Sequence, residues 1–113
     1  MEVRALAADQ PIAPRKVRAV LDVIRGRPVV EALDVLAHLP QPTARIVSQV
    51  VRSAAANAEN NFDLNPDGLV VKRATAGDAR KLRRVKARSR GRAAPRLRRS
   101  SHIEIVVEGG EGF

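Results

Sequence analysis

Between Asp78 and Glu104 the chain carries no acidic residue, and in that interval it places eleven cations: Arg80, Lys81, Arg83, Arg84, Lys86, Arg88, Arg90, Arg92, Arg96, Arg98 and Arg99. No packed core accepts such a segment, because burying an unpaired charge costs far more than apolar burial returns. The run must therefore stand outside whatever core the remaining residues build. The chain has 113 residues with 21 Lys and Arg against 12 Asp and Glu, so outside the run ten bases face all twelve acids, a net of −2. The sequence thus divides into a nearly neutral body and a strongly cationic arm. At a net charge of +9 and a pI near 11.5, the expected partner is a polyanion.

The body is long enough for one modest core and too short for two, so a single domain spanning 1–113 is expected. Its only aromatics are Phe62 and Phe113, which leaves Val, Leu, Ile and Ala to fill the core and argues against stacking bases on aromatic platforms. Without Cys there are no disulfides, thiolate zinc sites or cysteine nucleophiles. Met1 to Gln10 contains Glu2 and Asp9 and reads as neither a secretory signal nor an Arg-rich transit peptide. No apolar run approaches the ~20 residues a membrane helix needs.

Local patterns assign the elements. Glu2 to Ala8 alternates as a strand with Val3, Ala5 and Ala7 on one side. Val17, Val20, Leu21 and Ile24 recur at helical spacing after Pro14, with Gly26 as the stop, although Ala13 offers no capping oxygen. Pro28 opens a second helix with Val29, Ala32, Leu33 and Leu36 inward, and Pro40 and Pro42 close it. The longest helix is expected from about Thr43 to Asn60, with Ile46, Val47, Val50, Val51, Ala54 and Ala58 as its stripe. Asn60, Asn61, Asn65, Pro66, Asp67 and Gly68 should end it and turn the chain.

Leu69 to Val71 then begins a strand, and Ile103, Ile105 and Val107 alternate in another. If these pair antiparallel, the segment of about 78–101 becomes a long hairpin with its turn near Ser89 to Arg92, leaving 108–113 as a short flexible tail. Within the arm Arg84, Lys86, Arg88, Arg90 and Arg92 fall at every second position, and Val85, Ala87, Ser89 and Gly91 lie between them. A limb of ten residues would reach on the order of 30 Å at ~3.3 Å per residue. Alone in water such a ribbon is expected to be loosely ordered; among phosphates each paired cation releases a counterion, and repulsion becomes attraction. Nine of the eleven cations are Arg, which suits bidentate phosphate contacts.

A charge run is more often a solvated face or a terminal tail, but this one lies between two strands that should pair. Anionic lipid is the other polyanion to weigh, and no amphipathic helix or lipidation signal supports it. His38 and His102 stand apart without metal-ligand spacing, so no metal site is expected. Ser100, Ser101 and His102 are neighbours on a strand, where adjacent side chains point to opposite faces, and make no catalytic triad; His102 reads as a strand-surface residue near RNA. No nucleophile, general base, phosphate loop or cofactor signature is present, so neither enzyme activity nor a cofactor is expected.

Several motifs in order carry a resemblance. Ala13-Pro14-Arg15-Lys16-Val17-Arg18, Asp22 to Arg27, Glu31 to Leu36, Ser53 to Asn61, Arg88 to Ala93 and Arg99 to Ile103 together resemble the bacterial-type large-subunit ribosomal protein twenty-two family, over about residues 12–107. The resemblance implies an α+β fold, three helices packed on a three-stranded antiparallel sheet with a long protruding β-hairpin. It also implies a structural role in the large ribosomal subunit: binding large-subunit ribosomal RNA, supporting assembly, and lining the polypeptide exit tunnel. On that reading Arg88, Ser89, Arg90, Gly91 and Arg92 form the tunnel-facing tip, beside large-subunit protein four and the nascent polypeptide. Leu82, Arg83 and Arg84 lie on the limb where family members affect macrolides. Arg15, Lys16 and Arg18 match the family's basic first helix and, with the eleven arm cations, make up the expected RNA-binding set. The implied location is the cytoplasmic large ribosomal subunit or an organelle's equivalent, with no membrane partner. The chain departs from the family pattern at Ala13, where Ser is usual, at Ala87, where Pro is common, and at Ala76 to Arg80, where an acidic Gly-Pro turn is typical. One rival reading is a free-standing nucleic-acid-binding module using the helices of Pro14 to Leu36. Another is an arm that grips acidic proteins.

Overall fold

The computed structural model describes residues 2–78, 82–87, 93–98 and 100–109. Elements follow in the order β1 (Glu2–Gln10), α1 (Pro14–Ile24), α2 (Val29–His38), α3 (Pro42–Phe62), a short 3-10 turn (Pro66–Gly68), β2 (Val70–Asp78), β3 (Leu82–Ala87), β4 (Ala93–Arg98) and β5 (Ser101–Glu108). Three helices thus pack on a three-stranded antiparallel sheet of order β1-β5-β2, and β3 pairs with β4 in a second, two-stranded sheet. This is the α+β architecture expected from the sequence.

The alternation of β5 explains why it is central. Ile103, Ile105 and Val107 are fully buried under the helices, flanked by Ala7, Ala5 and Val3 on β1 and by Ala76, Ala74 and Val71 on β2. The small alanines on both sides let α3 lie close over β1 and β5 while α1 covers β2. Val17, Leu21 and Ile24 of α1, with Val47, Val51, Ala54 and Ala58 of α3, are fully buried in one cluster with these strands. The outer edge of β2 is not left bare. Gly26 donates to Val71 O, Val71 to Arg27 O and Val29 to Leu69 O, each at 2.9 Å, so the α1–α2 connection runs beside the strand. Gly26 sits at φ +83°, a left-handed conformation that ends α1 at the expected residue.

The structure moves two boundaries. α3 continues through Asn60 and Asn61 to Phe62, two residues beyond the expected end. The stop comes from Asp63, whose left-handed backbone lets its N–H reach Glu59 O while Leu64 donates to Ala58 O and turns its side chain into the core. β1 likewise runs to Gln10 rather than Ala8, with a bulge after Ala7 and Asp9 at φ 52°.

The chain measures 67 × 26 × 17 Å, with a radius of gyration of 17.1 Å. A compact chain of this length would have about 13 Å. The excess reflects a molecule that does not fold its whole length into one globule.

Candidate nucleic-acid interface

The described part of the arm is the β3–β4 ribbon, in register Leu82↔Arg98, Arg84↔Arg96 and Lys86↔Ala94. Cross-strand partners share a face, so the positions of Arg84, Lys86, Arg96 and Arg98 lie together on one side. The other side holds Arg83, Val85, Ala87, Ala93, Pro95 and Leu97. The sequence alternation foretold the first limb; the register adds that the returning limb sorts its residues the same way. Arg80, Lys81, Arg99 and the tip residues Arg88, Ser89, Arg90, Gly91 and Arg92 lie outside the described residues, as does the tail beyond Gly109.

Four polar contacts fasten the body to the two strands from which the ribbon springs. On β2, Arg18 directs Nε and Nη2 onto Ala76 O at 3.2 and 2.9 Å, and Arg25 donates to Ala74 O at 2.7 Å. On β5, fully buried Ser101 donates to Ile12 O, and the Asp9 N–H donates to His102 Nδ1 at 3.1 Å. Two residues expected to lie near RNA, Arg18 and His102, are thus engaged in contacts within the body. Arg18 holds the strand carbonyl with two of its nitrogens, and His102 is half-buried and accepts a backbone hydrogen bond. That bond requires an unprotonated Nδ1. Arg15 and Lys16 differ from Arg18: both are exposed in the first turn of α1 and have no partner among the described residues.

The remaining body cations sort by environment. Arg4 lies 3.7 Å from Glu104, Arg25 2.7 Å from Asp22, and Arg27 2.6 Å from Glu31. On the outer face of the sheet Lys72 bridges Glu2 at 2.5 Å and Glu108 at 3.5 Å, and Arg73 approaches Glu2 at 3.4 Å. That face is internally neutralised and offers little to a polyanion. Arg45 and Arg52 on α3 are exposed and have no partner among the described residues. Sequence reading passed over them because they are single residues in an Ala-rich helix. The signal was nevertheless present: neither has an acid at i±3 or i±4, whereas Arg25 and Arg27 do.

Lys72 holds the Glu2 carboxyl below its ordinary value of 4.5, first through a hydrogen bond and then through charge, with Arg73 adding to the effect. Lys72 is raised in turn by its hydrogen bond to Glu2 and by the charge of Glu108. A depressed carboxylate stabilises the fold above its unfolded pKa, and that contribution fades as pH falls through the folded value. A raised lysine contributes below its unfolded pKa and loses that contribution as pH climbs through the folded value. Glu2→Gln is therefore expected to lower stability slightly above about pH 4.5, by little because the pair is exposed, and to converge with wild type as pH falls, which flattens the acid side of its profile. Urea midpoints taken between neutral and acid pH would check this; an acid limb as steep in the variant would show that Glu2 is not the linked group.

A small α+β body that delivers cations on a separate, self-paired ribbon defines a class: a scaffold protein built to engage a dense polyanion. Comparison with known proteins narrows the class. The family model described as Ribosomal protein L22p/L17e matches residues 5–108. The large ribosomal subunit protein uL22 of Dehalococcoides mccartyi is 48% identical over 107 residues, covering 95% of this chain and 98% of that protein. Proteins of the same name from Thermomicrobium roseum and Staphylococcus aureus are 47% identical over 108 residues and 46% over 111, covering 96% and 98% of this chain and 92% and 95% of theirs. The chain belongs to the L22p/L17e family of ribosomal proteins.

Proposed function

We propose that this chain is a structural constituent of the large ribosomal subunit that binds the subunit's RNA and supports its assembly. The observation that carries the reading is the family match across residues 5–108, a span that includes the whole cationic arm. The ribbon's four-cation face gives it a mechanism. Each phosphate neutralised by an arginine or lysine releases a condensed counterion, and this gain offsets both the repulsion among the cations and the entropy of ordering a two-stranded ribbon. The body then acts as a socket. Arg18, Arg25, Ser101 and His102 fix the direction in which the arm leaves, so binding does not have to select that direction from many.

On this reading the chain is one ribosomal-protein domain whose arm spans about 78–101. The RNA-contacting set includes Arg15, Lys16, Arg18 and the arm cations from Arg80 to Arg99. The tip from Arg88 to Arg92 presents positive charge at the wall of the polypeptide exit tunnel, next to protein four and the passing nascent chain. The work is binding and shaping rather than catalysis. Among the described residues no helix is long and apolar enough to cross a membrane.

Tagged protein expressed in a bacterial host is expected to sediment with large subunits at moderate salt and to leave that fraction after RNase treatment. Protein that stays at the top of the gradient, or that remains in its complex after RNase, would overturn the reading and favour a free module or an arm that holds acidic proteins.

A further inference from the structure

Of the ten cations in the body, six are held by acids or strand carbonyls, while Arg15, Lys16, Arg45 and Arg52 have no partner among the described residues. Three of these four, Lys16, Arg45 and Arg52, line two hollows along the first half of α3. A groove of about 700 Å³ between the end of α2 and the start of α3 is lined by Pro40, Gln41, Arg45, Ser48, Gln49 and Arg52. A second hollow of about 560 Å³ meets it at Gln41 and Pro42 and continues past Thr43 to Ile12 and Lys16 on α1. The two hollows adjoin across Gln41 and Pro42 and together make a trough along the start of α3, and no acidic residue lines either part.

We propose that this trough is a second RNA-binding surface, on the body rather than the arm, which seats sugar-phosphate backbone with Arg45 and Arg52 as its principal phosphate contacts. The inference rests on the RNA-binding reading above and extends it to residues outside the set given there. Arg45 and Arg52 are two turns apart on one helix face, about 10 Å along the axis, so they grip separate points on a strand. Ser48 and Gln49 lie between them and add neutral donors. Thr43, in the first turn of α3, also lines the second hollow.

The charge order along α3 supports the same occupant. The helix has no acid in its first turn and no base in its last; Arg45 lies at the positive end of the helix dipole, while Glu59 and Asp63 lie at the negative end. Both placements run against the dipole and cost stability. An anion at the N-terminal end reverses the first of these penalties, and the acids at the far end repel RNA. The body would therefore meet RNA with the start of α3 and turn its end, with Asp67 close by in sequence, away.

The test uses the full chain and deproteinised bacterial large-subunit RNA, with affinity measured over a range of KCl concentrations. Arg45→Gln with Arg52→Gln is expected to lower the magnitude of the log–log salt slope by about 1.4 to 1.8, the value for two phosphate contacts. Arg84→Gln with Arg96→Gln on the ribbon serves as the reference and should produce a similar drop. If the ribbon pair moves the slope and the α3 pair leaves slope and affinity at wild type, the trough proposal is overturned and the arm reading stands. If wild-type binding is insensitive to salt and neither pair matters, the RNA-binding reading itself is lost. A loss of binding to polyglutamate but not to RNA in the α3 pair would assign the trough to an acidic protein and overturn the proposal as well. A measurement without any variant guards against misfolding: RNA should slow phenylglyoxal modification of Arg45 and Arg52 in the wild-type chain, read by mass spectrometry, and unchanged rates count against the site.

Discussion

Replacing Arg84, Lys86, Arg96 and Arg98 together by Gln is expected to weaken binding to large-subunit RNA by about a thousandfold at 0.1 M salt while the body stays folded. These four positions share one face of the β3–β4 ribbon, so a phosphate array that engages one is placed to engage all. At about 0.7 to 0.9 per contact, four lost contacts lower the salt slope by roughly 3, which is a factor of about 10³ for each decade of salt below 1 M. The body should not notice. β3 and β4 form a two-stranded sheet of their own, apart from the three strands that the helices cover. Fluorescence anisotropy across a salt series, with a urea melt of the same protein, separates the two properties. An unchanged slope with intact folding would mean that the ribbon is a spacer and that the arm's contacts are made elsewhere along it.

How much of this was legible in the sequence differs between body and arm. The body was readable because each element declared its period. Val17, Val20, Leu21 and Ile24 at helical spacing and Ile103, Ile105 and Val107 at strand spacing are buried where the pattern places them. Boundaries were less legible because they depend on backbone geometry. Asn60 and Asn61 look like turn residues, yet α3 runs through them, since the left-handed residue that stops it is Asp63. The arm's cations were plain from charge alone, but not that Arg96 and Arg98 share a face with Arg84 and Lys86, which needs the cross-strand register. Least legible were the roles of individual polar residues. Arg18 sits in a basic motif beside Arg15 and Lys16, and only the tertiary structure brings Ala76 O, 58 positions along the chain, to its guanidinium. Arg45 and Arg52 show the converse: ordinary in sequence, they stand out once six of the other eight body cations have been given their partners.

Ile105→Ala is expected to cost about 2–5 kcal/mol, a large share of the roughly 5–15 kcal/mol that holds a domain of this size together. Ile105 is fully buried at the middle of the central strand, between Ala5 on β1 and Ala74 on β2. Because both lateral neighbours are already alanines, no long side chain stands ready to swing into the vacated space. The backbone cannot close over it either, since β5 is bonded along both edges. The urea midpoint should fall by a third or more with little change in the slope of the transition. The effect should also reach RNA. β5 ends at Ser101 and His102, which fasten the root of the arm to Ile12 and Asp9, so a looser central strand gives the arm a wider range of directions to lose on binding. Affinity should therefore drop while the salt slope keeps its wild-type value, because no phosphate contact has been removed. Charge variants in the arm should show the opposite pattern, a changed slope on an intact fold. A midpoint shift worth less than about 1 kcal/mol would mean that the site refills after truncation. A changed salt slope would mean that the core and the arm are not separable in the way the two sheets imply.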